Sequence, residues 1–161
     1  MIREIVDTYP LSPMQEGMLF NSLIAPDSGV DIEQIVFVLR EPLQAAPFRE
    51  AWEWVVMRHA VLRTSFRLDS SGPPFQEVHA EVELPYSHGD WSGCSPEGLK
   101  ANLQACVRED RRRGFHPEHP PLLRIRVFTA GESEHYVIWT FHHALLGPLH
   151  SDRDQRGLRP L

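Results

Sequence analysis

At 161 residues, with 42% hydrophobic and 24% charged side chains, the chain has the size and composition of one folded domain. Its net charge of −6 argues against general nucleic-acid binding, which needs a basic surface to neutralise phosphates. Cys94 and Cys106 form neither a C-x-x-C pair nor a disulfide framework, and no segment has signal-peptide or membrane-spanning form, so a soluble, cytoplasmic chain is expected.

In chain order, "YPLSPMQEGMLFNSLI" opens with a helix start. Ser12 can cap, Pro13 suits the first helical position, and Gln15 completes a capping box, with the helix running to about Leu23 before "APDSG". The β-branched stretch from Asp31 to Arg40 predicts a strand. "APFREAWEWVVMRHA" returns to helical spacing, with Phe48, Trp52, Val55, Val56 and His59 on one apolar stripe. "VLRTSFRLD" predicts a strand, and "PFQEVHA", after Ser71-Gly72-Pro73-Pro74, its hairpin partner. "LPYSHGDW" reads as a loop leading to Ser95-Pro96, where a third helix begins with Leu99, Leu103, Cys106 and Val107 on one face.

"LLRIRVF" alternates Leu123, Ile125 and Val127 against Arg124 and Arg126, a strand with two unlike faces. "AGES" is a turn, and "EHYVIWTFHHALL" is the strand after it. The order α-β-α-β-β-α-β-β predicts an α/β fold of the α+β sandwich type, with about three helices on a mixed, mostly antiparallel sheet. Residues 147–161, "GPLHSDRDQRGLRPL", have neither periodicity and form the one compositional break.

Nine histidines raise the question of a metal site. Strand neighbours point to opposite faces, so His142 and His143 are not expected to chelate one ion together, and His116 and His119 lie in a proline-rich loop without a zinc-ligand pattern. No bound metal or cofactor is expected. Parity puts His143 with Val137, Trp139 and Phe141, and His142 with Tyr136, Ile138 and Thr140. A histidine where a strand gives way to a loop is placed to act as a base, since neutral imidazole titrates near neutrality. By itself the pair reads equally as core or solvated histidines.

Three stretches give the pair a context: "YPLSPMQEGMLFNSL" (residues 9–23), "RHAVLRTSF" (58–66) and "FHHALL" (141–146). In order and spacing they resemble the opening motifs of the condensation domains of nonribosomal peptide synthetases, members of the chloramphenicol-acetyltransferase-like fold. "RRRGFHPEHPPLLRIRVF" is similar to a further segment of that family. The resemblance implies one lobe of a two-lobed domain with a tunnel between the lobes. Peptidyl carrier proteins dock at the two tunnel ends and deliver thioesters on phosphopantetheine arms. The acceptor amine then attacks the donor thioester to form an amide. The second histidine of His-His-x-x-x-Asp-Gly, here His143, is implied as general base or positioner of the nucleophile. His142 is implied as its support, and Arg63 as the cation that pairs with the motif's aspartate.

The pattern breaks after Leu146. Gly147 and Pro148 stand where the aspartate and glycine belong, and Asp152 and Asp154 lie too far along to replace them. The expectation is an N-terminal lobe over residues 1–146 followed by an unrelated tail over 147–161, lacking the second lobe and inactive alone, as a truncated or frameshifted gene would give. Two other roles stay open. One is a module that binds carrier proteins or a partner lobe, with Arg111, Arg112 and Arg113 as a candidate contact for an acidic carrier. The other is a small oligomeric acyltransferase of the same fold. A lobe without its partner is also expected to self-associate through uncovered apolar surface. "SPMQEGMLF" resembles variants that accept a donor of altered stereochemistry.

Overall fold

The computed structural model describes residues 4–25, 28–68 and 72–146. Its elements in order are β1 (Ile5–Pro10), α1 (Pro13–Ile24), β2 (Ile32–Leu39), α2 (Ala45–Arg58), a 3-10 turn (Ala60–Arg63), β3 (Thr64–Arg67), β4 (Phe75–His79), β5 (Tyr86–Asp90), α3 (Pro96–Arg113), β6 (Leu123–Gly131), β7 (Glu134–His142) and α4 (His143–Leu146). Two sheets form: a three-stranded one ordered β1-β4-β3 and a four-stranded one ordered β2-β7-β6-β5. All pairings are antiparallel except β5 with β6. The α/β class and its mostly antiparallel sheet are therefore present, but as two sheets rather than one.

The first helix begins as its sequence dictates. The Gln15 N–H donates to Ser12 Oγ at 3.2 Å and the Ser12 N–H donates to Gln15 Oε1 at 3.0 Å, closing the capping box. Only Gln15 and Leu19 of α1 are buried, while Met14, Phe20, Leu23 and Ile24 are exposed. In α2 the stripe of Phe48, Trp52, Val55 and Val56 meets the core, with Trp52 edge-on to Trp139 at 5.3 Å. His59 departs from expectation: it is the C-cap and is exposed, because the helix ends at Arg58.

The two faces of β6 and β7 serve two different cores. Leu123, Ile125 and Val127, opposite Phe141, Trp139 and Val137, join Leu19, Val56, Phe66 and Leu122 in the larger cluster. Full burial of each such side chain contributes roughly 1.5–3 kcal/mol. On the other face Ile138 and Phe128 pack with Trp91 beneath Leu99, Leu103, Cys106 and Val107 of α3. Trp91 and Phe128 stack at 3.9 Å. Arg124 and Arg126 share that second face and reach Asp110, which is 1% exposed.

Three elements differ from their sequence reading. β1 was not apparent because all six of its residues are exposed and its hydrogen bonds come from β4, far along the chain. The predicted loop "LPYSHGDW" contains β5, which pairs in parallel with β6. Gly89 suits this strand because a Cβ there would lie 2.7 Å from Phe128 Cδ1. The strand expected over "VLRTSFRLD" starts only at Thr64, since Ala60–Arg63 form the 3-10 turn that brings α2 into β3. Ser71 of the hairpin turn and residues 147–161, with Gly147, Pro148, Asp152 and Asp154, lie outside the described residues.

Candidate functional site

The two histidines sit where β7 becomes α4, and the structure separates them completely. His142 ends the strand and is 1% exposed, whereas His143 starts the helix with a half-exposed side chain. The expectation of one strand continuing through both is corrected: the chain turns into α4 at His143. That turn keeps one last ladder bond, from the His143 N–H to Asp31 O at 2.8 Å.

Buried polar groups hold this turn. His142 Nδ1 accepts the Ala144 N–H at 3.2 Å, so in the neutral ring the proton resides on Nε2. That nitrogen lies 3.1 Å from Ser22 Oγ, which donates its own proton to Asp31 Oδ2 at 2.9 Å. A directed chain therefore runs from His142 through Ser22 of α1 to Asp31. Burial lowers the His142 pKa from 6.5 to about 4, only partly offset by the Asp31 carboxylate. Gln15, also buried, donates to Ala144 O at 3.2 Å and fixes the other side of the turn.

The His143 ring is left facing out, with Nδ1 3.5 Å from Glu33 Oε1. The register of β2 on β7 places Glu33 opposite Phe141, hence diagonal to His143. Ser22, Asp31 and Glu33 were not singled out by sequence reasoning. Their signal was available only through tertiary contacts: the β2–β7 register carries Asp31 and Glu33 to the histidines, and the packing of α1 on α4 brings Ser22.

Arg63 ends the 3-10 turn before β3. Its Nη1 donates to the carbonyls of His79 and Ala80, the latter at 2.9 Å, while its buried Nε has no hydrogen-bond partner among the described residues. The turn carrying Arg63 packs on α4. Of the arginine run, Arg111 is committed to the fold: it donates to Gly29 O at 2.9 Å and packs over that glycine, whose φ is +62°. Gly29 tolerates this conformation because it lacks a side chain. His116 and His119 stand edge-on to each other at 5.6 Å in the loop after α3.

A mostly antiparallel sheet thus ends in adjacent histidines, one buried and one presented. The chain belongs to the condensation domain family, whose model matches residues 5–146. Among curated proteins it is 40% identical over 144 residues to one of the linear gramicidin synthase proteins of Brevibacillus parabrevis. It is 32% identical over 143 residues to tyrocidine synthase 2 from the same organism, and 29% over 143 residues to bacitracin synthase 1 of Bacillus licheniformis. These matches cover 89% of the chain but only 3–4% of the relatives, so the chain spans a small part of those synthetases. Its fold is that of the starter condensation domain of rhizomide synthetase (TM-score 0.76, 22% identity, 86% of this chain and 34% of that one). It is equally similar to a small part of a four-domain nonribosomal peptide synthetase bound to AMP and glycine (TM-score 0.77, 20% identity, 90% of this chain and 11% of that one).

Proposed function

We propose that residues 5–146 serve as the N-terminal lobe of an amide-forming condensation domain, and that the 161-residue chain is inactive without a complementary lobe. The observation that carries this reading is the half-exposed His143 ring on a turn held by buried His142, Asp31 and Gln15. In this role the acceptor's amine nitrogen attacks the donor's thioester carbonyl, an amide C–N bond forms, and the carrier thiolate leaves. His143 hydrogen-bonds the attacking amine and takes its surplus proton, which passes on to the departing thiolate or to solvent. His142 is a positioning residue, since its ring is occupied by Ala144 and Ser22.

Arg63 fits the brace of the family motif. This reading is supported by its buried Nε, which has no acceptor among the described residues. That atom sits in a turn packed on α4, next to the end of the motif whose expected aspartate is Gly147 in this sequence. The natural partners are peptidyl carrier proteins, which present phosphopantetheine thioesters to the domain, and the second lobe. The free thiols of Cys94 and Cys106 suit a reducing, cytoplasmic setting. The exposed apolar residues of α1 make self-association the fate of the isolated chain.

The test mixes the chain with loaded donor and acceptor carriers, alone and with the second lobe of the condensation domain from the 40%-identical linear gramicidin synthase protein. No amide is expected from the chain alone. Amide should appear with the added lobe once Gly147 and Pro148 are replaced by aspartate and glycine, and disappear again with His143→Ala. Robust turnover by the chain alone would overturn the claim of inactivity. Absence of binding to any carrier or to the added lobe would remove the docking role. The small oligomeric acyltransferase is the weaker reading, and a monomeric mass would count against it.

A further inference from the structure

We infer that Glu33 is the positioning residue for the His143 ring, accepting a hydrogen bond from Nδ1–H so that the Nε2 lone pair is the one available to a substrate amine. The inference rests on His143 being the amide-forming histidine, and it adds the group that decides which nitrogen is basic.

Four observations lead to Glu33. Its Oε1 is 3.5 Å from His143 Nδ1, and both side chains are about half exposed, so a small side-chain rotation closes the contact to a hydrogen bond. Both backbones are fixed: Glu33 is laddered to Phe141, and the His143 N–H is bonded to Asp31 O. Among the described residues Glu33 is the acid within ion-pair distance of this ring, whereas the neighbouring Asp31 carboxylate is turned to Ser22. Finally, a carboxylate only accepts hydrogen bonds, so in the neutral ring it selects the Nδ1–H form and leaves Nε2 as acceptor. The carboxylate of a serine-hydrolase triad orients its histidine in the same way.

A distinctive consequence is that two adjacent histidines hold opposite tautomers. His142 carries its proton on Nε2 because Ala144 donates to its Nδ1, and His143 carries its proton on Nδ1 because Glu33 accepts it.

Long-range nitrogen–proton correlation NMR of the full-length ¹⁵N-labelled chain, at a pH where both rings are neutral, reads this directly. The His143 signals are identified by their loss in His143→Gln. In the unaltered protein His143 should show a protonated Nδ1 and His142 a protonated Nε2. Glu33→Ala should shift His143 toward the Nε2–H form, while Glu33→Gln, whose amide oxygen still accepts, should keep the Nδ1–H form. A predominantly Nε2–H His143 in the unaltered chain, or a tautomer unchanged in Glu33→Ala, would overturn the assignment. Because the readout needs no turnover, failure of amide formation with the Nδ1–H form intact would sink the condensation role and leave Glu33 in place as the residue that sets the tautomer.

Discussion

At the scale of single residues, the adjacent histidines illustrate how much environment separates identical side chains. His142 is neutral through burial, and its folded pKa of about 4 lies below the ordinary 6.5. The unfolded chain therefore binds an extra proton between those values, so this stabilisation is complete above 6.5 and is lost as the pH falls toward 4. The loss should reach about 3 kcal/mol in urea unfolding followed across that window, and His142→Gln should lack this part of the slope. Arg63 offers a second test. Restoring the aspartate and glycine, through Gly147→Asp with Pro148→Gly, should supply the acceptor its Nε lacks. A double-mutant cycle with Arg63→Ala should return a coupling of about 1–3 kcal/mol, and zero coupling would show that Arg63 braces something else. Strand parity set His143 apart from His142 in the sequence, but β7 ends at His142, so the rings are separated by the turn into α4 and by burial instead. The partners Asp31 and Glu33 become neighbours through the β2–β7 register, and Ser22 through the packing of α1 on α4.

Among elements, legibility followed whether the signal was local. The capping box of α1, the Ser95-Pro96 start of α3 and the alternation in β6 are written within a few residues, and all three form as read. β1 and β5 have no such writing: one is wholly exposed, and the other contains Ser87, Gly89 and Asp90, poor strand formers whose backbone is paired by β6. The docking of α3 hinges on a residue that amphipathic spacing does not reveal. Asp110 is nearly inaccessible, accepts from Thr140 Oγ1 at 3.1 Å and lies 3.4 Å from Arg126 and 3.7 Å from the buried Arg124. Desolvation already lowers the Arg124 pKa, so removing its partner leaves an uncompensated buried cation. Asp110→Ala should cost about 3–5 kcal/mol in chemical denaturation, whereas replacing the exposed Arg112 on the same helix should change little.

For the whole molecule, the surface of α1 contrasts with its interior. Phe20, Leu23 and Ile24 are each more than half exposed, and the outermost strand β2 exposes Ile35, Val36 and Val38. Sedimentation velocity should show concentration-dependent association, reduced by Phe20→Ser with Ile24→Ser. A monomer at every concentration would show that these residues do not make the chain adhesive. The same architecture also dictates an order of construction. Ser22 and His142 are 120 residues apart, and Gln15 and Ala144 129 apart, so the contacts that hold the His143 turn close very long loops. As the chain leaves the ribosome, β2 has no hydrogen-bonding neighbour until β7 follows it, and α1 cannot lock onto α4 before then. The histidine turn is thus closed only once β7 and α4 have been made, 120 residues after the Ser22 that anchors it.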